Sequence, residues 1–513
     1  MTSVSYDDLV TVATVGVSRR PLPITGLTGA AAAHIGVLDR DDSAAAVLDA
    51  AALLAAAHRA GALPVSGVTC PAPAPVDPAP ELSPRAAKVL DRAYGADPAL
   101  LADLLTAAGE HGYRAPAPSL PSLLDAAVRD RTLRPAVAGV LGARGRWLAA
   151  HRPDWRQVTG AAVATVPDDP AVWETGSRAE RHTYLAMLRD RDLAAARDLL
   201  AAGWSREAGE ERADLLAVLA HGLSGADEEF LEQALDDRKA SVRAGAGRLL
   251  ARLPDSAFTS RAAARAASLL RMEHRGPRRY LAASLPGGVD RAVLRDGIVV
   301  TPPSAAIGAH AWLLIQLIAA APLTGWVTRF GLDPAQIVAL PVAGNLAAEV
   351  QAGWRLAAIT QASQEWAEGL LAAGQPAGAG RLPPAAWPPD DRLAGVLSPA
   401  VRAARATALL TGPAVTAAVL TEVTNCAGPW PEALADAVMA VLTRAVTATT
   451  WSGPARGLLL AVARNLPVTG GRDYAAALAR LAEASACPPP WSVALRQAAR
   501  TVTLRRVFSE EVR

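Results

Sequence analysis

Lysine and cysteine are nearly missing from this chain of 513 residues. Lys88 and Lys239 are the only lysines, and the three cysteines, Cys70, Cys426 and Cys487, are far apart and form no Cys-x-x-Cys pair. An odd number of distant cysteines argues against a disulfide framework and a zinc site, and it is typical of proteins from a reducing compartment. We therefore predict a cytoplasmic protein without a structural metal.

Aromatic side chains are also scarce, at 4% of the residues, although hydrophobic residues make up 51%. Alanine supplies most of that hydrophobic half, and it is the strongest helix former but too small to fill a deep core. The alternation of apolar and polar residues that marks strands is almost absent. This composition predicts an all-α protein with closely stacked helices.

The chain lacks both a large net charge and a clear membrane segment. Fifty-one basic residues nearly balance 49 acidic ones, so the net charge of +2 gives no general attraction to nucleic acid or acidic lipid. The first residues, MTSVSYDDLV, carry acids where a secretory signal has a basic start. The longest uncharged run, 297–328, contains three prolines, so we predict a buried helix hairpin there and no membrane span.

Motifs for the common catalytic chemistries are missing as well. The sequence contains no His-Glu-x-x-His, no Gly-x-Ser-x-Gly and no Gly-rich phosphate loop ending in lysine, and its eight histidines are dispersed. We therefore predict no catalytic residue, no cofactor, no metal and no small-molecule ligand. An enzyme assembled from distant Asp, Glu and His side chains stays a minor hypothesis, because such sites leave no motif.

The most informative segment that is present is 228–257, EEFLEQALDDRKASVRAGAGRLLARLPDSA. An apolar helix, a short polar turn and an Ala/Leu-rich helix form one helical hairpin, which has to stack on neighbours to bury its apolar face. The segment predicts an α-solenoid of such hairpins. The helices that we predict around it lie at about 178–189, 192–202, 206–221, 227–235, 241–252 and 259–271.

Three residues of this hairpin, Asp237, Val242 and Arg243, are assigned as structural repeat positions. We expect the turn carboxylate of Asp237 to accept hydrogen bonds from a helix N-terminus and from an arginine at once. Repeated in successive hairpins, such pairs would form a ladder between layers. A structural role for these residues is therefore preferred to a functional one.

Proline-rich breaks divide the chain into blocks, because dense proline prevents helix formation and favours extended segments. The predicted blocks are an N-terminal helical block (1–68), a Pro-rich linker with short helices (69–121), a repeat core (122–373), a Pro/Gly linker (374–390) and a C-terminal helical block (391–513).

The strongest basic cluster lies at the start of an irregular segment, 272–303, for which we predict a hairpin or a loop excursion. Its members are four arginines and a tyrosine: Arg271, Arg275, Arg278, Arg279 and Tyr280. Such side chains can contact phosphates while the tyrosine stacks on a base. A solvated loop between repeats is the simpler interpretation, and Glu273 interrupts the cluster.

Tryptophans punctuate the middle of the chain, at Trp312, Trp326, Trp354 and Trp366. One large ring fills space that alanines leave, so we predict that these residues anchor layers in the core. Exposed tryptophans would instead mark a binding groove.

Several segments together resemble a known family. RAERHTYLAMLRDRDLAAARDLL (178–200) continues through LLAVLAHGLSGADEEFLEQALDDRKASVRAGAGRLLARLPDSAF (215–258), with LGARGRWLAAHRPDW (141–155) upstream and RDGIVVTPPSAAIGAHAWLLIQLIAAAPLTGW (295–326) downstream. They resemble an uncharacterised, mainly actinobacterial domain-of-unknown-function family with HEAT-like helical repeats. Genes of that family lie beside genes for SWIM zinc-finger, MoxR-type AAA ATPase and von Willebrand factor A proteins. The resemblance thus implies membership in a chaperone-like or metal-insertion assembly.

Two functions follow as hypotheses. The first is a non-enzymatic helical-repeat scaffold that binds protein partners, within a MoxR-type AAA ATPase and von Willebrand factor A assembly. The alternative is a nucleic-acid-binding HEAT-like protein with a basic concave face. If the arginines at 271–279 align with Arg178, Arg181 and Arg243 in one stripe, the nucleic-acid hypothesis is strengthened. Arginines that pair with Asp and Glu would weaken it.

Overall fold

The protein is described here from a computed structural model that covers residues 6–22, 32–34, 36, 38–39, 41–60, 71–95, 97–159, 170–412, 415–447, 453–484 and 487–512. Helices make up 67% of the structure, with 28 α-helices and three short strands in those ranges. The prediction of a mostly all-α protein is confirmed. The chain divides into two compact units, Met1–Ala74 and Pro75–Arg513.

The first unit contains two described helices, α1 (Tyr6–Val15) and α2 (Ser43–Ala60), which pack on each other. Its core is small and is built around Leu9, Leu38 and Ala50. Cys70 lies outside the described residues.

The second unit begins with six helices, and the first two of them start at capping residues. Ser83 and Asp97 accept hydrogen bonds from the first-turn amides of the first two helices, and each is followed by a proline, which suits the first helical position. These helices are α3 (Pro84–Tyr94), α4 (Pro98–Glu110), α5 (Leu120–Arg129), α6 (Arg134–Val140), α7 (Gly142–Ala150) and α8 (Pro153–Arg156).

Seven helices follow, and the last six of them confirm the predicted series to within a few residues. They are α9 (Ala171–Thr175), α10 (Arg178–Arg191), α11 (Leu193–Gly203), α12 (Gly209–Val218), α13 (Glu228–Ala234), α14 (Ala240–Leu250) and α15 (Ala257–Leu269). Helices α10, α12 and α14 begin at evenly spaced positions, 178, 209 and 240, and each packs on the next. We call this constant spacing the repeat interval. Helix α10 also packs on α11, and α13 packs on α14.

The predicted excursion after these helices is a β-hairpin. Strand β1 (Leu270–Arg275) pairs antiparallel with β2 (Arg278–Ala283), and β2 pairs parallel with β3 (Val342–Ala343). The strand order is β1-β2-β3, so β1 is an edge. Gly276, with φ +61°, opens the two-residue turn and takes a backbone conformation that glycine adopts without strain.

The middle of the second unit is held by large buried rings. Its helices are α16 (Arg291–Arg295), α17 (Ala309–Ala320), α18 (Leu323–Phe330), α19 (Pro334–Ala339), α20 (Ala347–Thr360) and α21 (Gln364–Ala373). Trp354 is buried between Trp326 and Trp366, with ring centroids 6.4 and 5.3 Å away. The role of these three as core anchors is confirmed, whereas Trp312 is half-buried.

The uncharged run 297–328 contributes two of these helices, α17 and α18, which are bent by 87° relative to each other. In the described ranges no single helix is long and apolar enough to cross a membrane, although this bent pair meets the length and composition criteria when taken together. Leu314 and Ile318 of α17 are fully buried in the core around Trp354. The predicted burial of this run is therefore confirmed for α17, but the two helices are nearly perpendicular and do not form an antiparallel hairpin.

Part of the segment predicted as a Pro/Gly linker, 374–390, packs into the fold. Leu382 and Trp387 are buried in a small cluster with residues of α17 and α20. The fully buried guanidinium of Arg355 donates to the Pro388 carbonyl at 2.9 Å. One tryptophan and one arginine thus fix a stretch whose proline and glycine content predicts an extended linker.

The C-terminal helices return to the beginning of the second unit. They are α22 (Asp390–Ala394), α23 (Pro399–Thr411), α24 (Ala417–Thr424), α25 (Glu432–Thr447), α26 (Gly453–Asn465), α27 (Tyr474–Glu483) and α28 (Pro489–Glu511). Helix α28 packs on α3 and α4, and its Phe508 is buried in their core. Ser83 donates to Glu511 at 2.5 Å, and Arg464 pairs with Asp103 at 3.0 Å. The order of packing therefore departs from the order of the sequence.

We expect Gly353→Ala to destabilise the protein although alanine is the better helix former. A Cβ at position 353 would lie 2.7 Å from Cβ of Ile318 and 2.9 Å from the Ile315 carbonyl oxygen, because α17 and α20 approach closely there. Overpacking of this kind costs about 1–3 kcal/mol. The measurement is the shift in apparent Tm.

The matched control is Gly457→Ala in α26, where an added Cβ meets nothing within 4 Å. It should stabilise the protein by up to about 1 kcal/mol, the difference in helix propensity. Equal stabilisation by both substitutions would contradict the close packing of α17 on α20.

Candidate interaction surface

The predicted basic cluster lies on the β1–β2 hairpin, and the strand register divides it between two faces. The paired positions are Arg271 with Ala282, Glu273 with Tyr280, and Arg275 with Arg278. Directly opposite side chains lie on the same face of a sheet. Four members of the cluster thus share one face with Glu273; we call this the arginine face, and its members are Arg271, Glu273, Arg275, Arg278 and Tyr280.

The other face anchors the hairpin. Leu270 and Leu281 are fully buried in the core around Trp354, and Met272 packs against them. Only the end of this face, with His274 and Arg279, is exposed. Since the buried leucines fix one face to the core, the arginine face is directed to solvent.

The hairpin arginines are not neutralised. All four are exposed, and within the described part of the chain none has a carboxylate oxygen within 4 Å. The nearest acid, Glu273, instead accepts a hydrogen bond from the Tyr280 hydroxyl at 2.7 Å. This bond to a carboxylate raises the pKa of Tyr280, since it stabilises the protonated phenol. The hairpin therefore presents four guanidinium groups against one carboxylate.

The three residues assigned as repeat positions, Asp237, Val242 and Arg243, are held by hydrogen bonds and by burial. Asp237 accepts from the Lys239 amide at the start of α14, at 2.7 Å, and pairs with Arg212 of the preceding layer, at 2.7 Å. Arg243 bonds the Asp237 main-chain carbonyl at 2.7 Å and the Leu294 carbonyl at 3.1 Å. Val242 is fully buried. Asp237 thus accepts from a helix start and an arginine, as predicted, although its side-chain partner is Arg212 rather than Arg243.

Related contacts lie one repeat interval earlier. Arg212 donates to the Glu207 main-chain carbonyl at 2.5 Å, as Arg243 does to that of Arg238 at 3.1 Å, and the Glu207 carboxylate pairs with Arg181. Arg181, Arg212 and Arg243 follow one another at the repeat interval. We call these three arginines and the acids Glu207 and Asp237 the arginine ladder.

The other arginines named in the test for nucleic acid are occupied by protein groups. Arg178 pairs with Asp214, Arg181 pairs with Glu207 and with Glu211, and Arg243 bonds main-chain carbonyls. They do not form an unpaired stripe with the hairpin. A groove of about 500 Å³ lies along α10 and α12, and Arg178, Asp214 and Glu211 are among its lining residues.

A fully buried ion pair reinforces the same region. Arg189 and Asp227 have side chains only 1% and 2% exposed, with nitrogen–oxygen distances of 2.8 and 3.0 Å. Arg189 also donates to the carbonyls of Leu193 and His221, at 2.6 and 2.9 Å. The guanidinium is thereby satisfied by a carboxylate and by main-chain oxygens, which is the condition for burying a charge.

The shifted pKa values of the carboxyl and thiol groups suit structural roles. Hydrogen bonds lower the pKa values of five carboxyls, so these stay ionised as caps and ion-pair partners: Asp130, Glu180, Glu210, Asp236 and Asp473. Burial raises the pKa of the Cys426 thiol to about 11 and also raises that of Cys487. In the described ranges no three His, Cys, Asp or Glu side chains are grouped to hold a metal.

Comparison with known proteins gives one match. A model of a family of unknown function, DUF5691, matches residues 8–512. The chain belongs to the DUF5691 family. No curated protein and no solved structure shows a significant match. The resemblance to an uncharacterised family is thereby confirmed at the level of the family.

In this DUF5691 member, the arginine ladder is accompanied by a second set of evenly spaced residues, which becomes visible only when successive hairpins are compared. Trp173 and Trp204 are also separated by the repeat interval, and the guanidinium groups of Arg181 and Arg212 lie 4.6 and 5.7 Å from their ring centroids. Comparing the chain with itself at a shift of one repeat interval would have found both series. The prediction from 228–257 identified the Asp237 end of the ladder and missed Arg212.

We expect Asp227→Ala to destabilise the protein by about 3–5 kcal/mol, because it leaves the Arg189 charge buried without its carboxylate. Asp198→Ala is the control, since Asp198 pairs with Arg197 at the surface and is 67% exposed; its effect should stay within about 0.5 kcal/mol. Urea unfolding and hydrogen exchange of α10–α13 measure both. Similar effects of the two substitutions would contradict the importance of the buried pair.

We expect Cys426 to react slowly with thiol reagents at pH 8. A pKa raised to about 11 keeps the thiol protonated until well above neutral pH, so that roughly one thiol in a thousand is ionised at pH 8. Labelling with iodoacetamide followed by peptide mass spectrometry should modify the less buried Cys487 first. Labelling of Cys426 at the rate of a free thiol would rule out its burial.

Proposed function

We propose that this chain is a non-enzymatic helical-repeat scaffold for protein partners, with HEAT-like hairpins stacked as an α-solenoid over 171–269. The observation that carries the proposal is the arginine ladder. Arg212 bonds the carbonyl five residues before it and the carboxylate of Asp237, and Arg243 bonds the Arg238 carbonyl, also five residues before it, one repeat interval later. Like contacts at a fixed period are what stacked copies of one structural unit produce.

Stacked hairpins favour a binding surface over a pocket. In such arrays each unit contacts mainly its neighbours, so the solvent-facing helices form a continuous surface that suits a large partner. Here α10, α12 and α14 are successive neighbours. The groove along α10 and α12 is lined by groups that pair with one another, such as Arg178 and Asp214, which leaves few of them for a small ligand.

The chemistry of the titratable groups supports a scaffold more than an enzyme. A general acid needs a raised carboxyl pKa and a nucleophilic cysteine needs a lowered thiol pKa. The shifts in this chain run in the opposite directions, with Asp236 lowered by its bond to Arg295 and Cys426 raised by burial. These groups are suited to holding helices together.

We further propose that the partners belong to an assembly with a MoxR-type AAA ATPase and a von Willebrand factor A protein, as the family resemblance implies. The nucleic-acid alternative is less favoured, because Arg178 and Arg181 pair with acids and Arg243 bonds carbonyls. Without those residues, the predicted basic stripe is reduced to the arginines of the hairpin.

The experiment is affinity purification of the tagged full chain from its own host, with nuclease treatment and cross-linking mass spectrometry. We expect a protein partner in stoichiometric amount, with cross-links to 171–269. Arg212→Ala should reduce its recovery, because loss of the ladder loosens the stack. Arg206→Ala is the control, since Arg206 is an exposed arginine in the same turn region without a carboxylate partner in the described chain.

Two results would contradict the proposal. One is a monomer that recovers no protein in stoichiometric amount. The other is co-purification of nucleic acid that disappears, together with all bound protein, after nuclease treatment.

A further inference from the structure

Within the described ranges, no strand pairs with the main-chain groups on the outer edge of β1. The Ser284 amide donates to the Leu269 carbonyl at 2.9 Å, which makes this the first hydrogen-bonded pair of the hairpin. Such pairs occur at every second residue of an antiparallel ladder, so 271, 273 and 275 bond to β2. The N–H and C=O groups of Met272 and His274 consequently point away from β2.

The outer edge of β2 shows the same alternation of inward and outward main-chain groups, and it is paired with the segment at β3. The Leu281 amide points away from β1 and donates to the Pro341 carbonyl beside β3, at 2.8 Å. The sheet therefore continues on the β2 side and stops at β1. Glu273, His274 and Arg275 are exposed, so the outer half of β1 is accessible.

The charges on the arginine face determine what can pair with this edge. Arg271 and Arg275 flank Glu273, whose carboxylate accepts a hydrogen bond from the Tyr280 hydroxyl. A second copy of β1, paired antiparallel about Glu273, would place Arg271 opposite Arg275 and Glu273 opposite itself. Like charges directly opposite destabilise a strand pair, so this centred register is disfavoured. A strand with carboxylates opposite both Arg271 and Arg275 fits the edge better.

We propose that the outer edge of β1 binds an extended acidic segment of a protein partner as an added strand. Main-chain bonds to Met272 and His274 would supply affinity, and cross-strand ion pairs would supply specificity, as in other cases of strand addition. The segment carries carboxylates four residues apart, opposite Arg271 and Arg275, with an uncharged or basic residue midway, opposite Glu273. This inference rests on the proposed function, because it assigns a partner class to the scaffold.

The test is fluorescence anisotropy of the full-length chain with a labelled peptide, Thr-Glu-Thr-Lys-Thr-Glu-Thr. Replacing both glutamates of the probe by glutamine should weaken binding roughly fivefold, the size of two cross-strand ion pairs. Arg271→Gln combined with Arg275→Gln should have a similar effect. Arg279→Gln is the matched control, because it removes the same charge from the opposite face of the hairpin.

Backbone pairing is tested separately. His274→Pro removes an amide that points outward and spares the bonds of 273 and 275 to β2, so it should weaken binding while the Tm changes little. A probe N-methylated on its pairing edge should bind as weakly to the unaltered chain. Retention of full affinity by this probe would overturn the inference, as would equal losses from Arg279→Gln and the double substitution.

A single-stranded oligothymidylate of seven nucleotides is the competing probe. If it binds more tightly than the peptide and is unaffected by His274→Pro, the hairpin is a nucleic-acid contact and the inference fails. The scaffold proposal is tested independently by the affinity purification of the tagged chain from its host. A partner recovered equally by the chain with and without Arg271→Gln and Arg275→Gln would leave the scaffold standing and remove this site.

Discussion

The ion pair between Arg212 and Asp237 is the contact on which the packing of α12 against α14 depends. Alanine-rich helices bury little apolar area each, so their layers need additional contacts that fix spacing and register. The Arg212 guanidinium is bonded to the carbonyl of Glu207 and to the carboxylate of Asp237, and Asp237 in turn fixes the start of α14. Since Asp237 is only 4% exposed, the pair is shielded from solvent screening.

The ladder also explains how the basic residues are divided between structure and surface. Arginine suits both roles, because its planar guanidinium donates to carbonyls and carboxylates at once. Arg189, Arg212 and Arg243 use these donors inside the fold. On the hairpin, the buried Leu270 and Leu281 fix one face, and the strand register then leaves Arg271 and Arg275 beside an open edge. A chain of almost neutral net charge thereby places four exposed arginines, without a carboxylate oxygen within 4 Å in the described ranges, on one hairpin.

Local features were predictable from the sequence, and distant ones were not. The helices from α10 to α15 follow from apolar periodicity, and the irregular segment 272–303 predicts a hairpin or a loop excursion. The helix before it was predicted to reach 271, whereas α15 ends at Leu269. The packing of α28 on α3 leaves no local signal, because Phe508 and Ser83 are brought together only by the whole fold. The residues of the basic cluster were predictable from the sequence. Their division between two faces of the hairpin became known only from the strand register.

A double-mutant cycle on Arg212 and Asp237 tests the central claim most directly. Unfolding free energies would be measured for Arg212→Ala, Asp237→Ala and the combined substitution. The account predicts that the double variant is more stable than the sum of the single losses implies, with a coupling of about 1–3 kcal/mol. Additive losses, within about 0.5 kcal/mol, would show that the two residues do not act as a pair and would contradict the account.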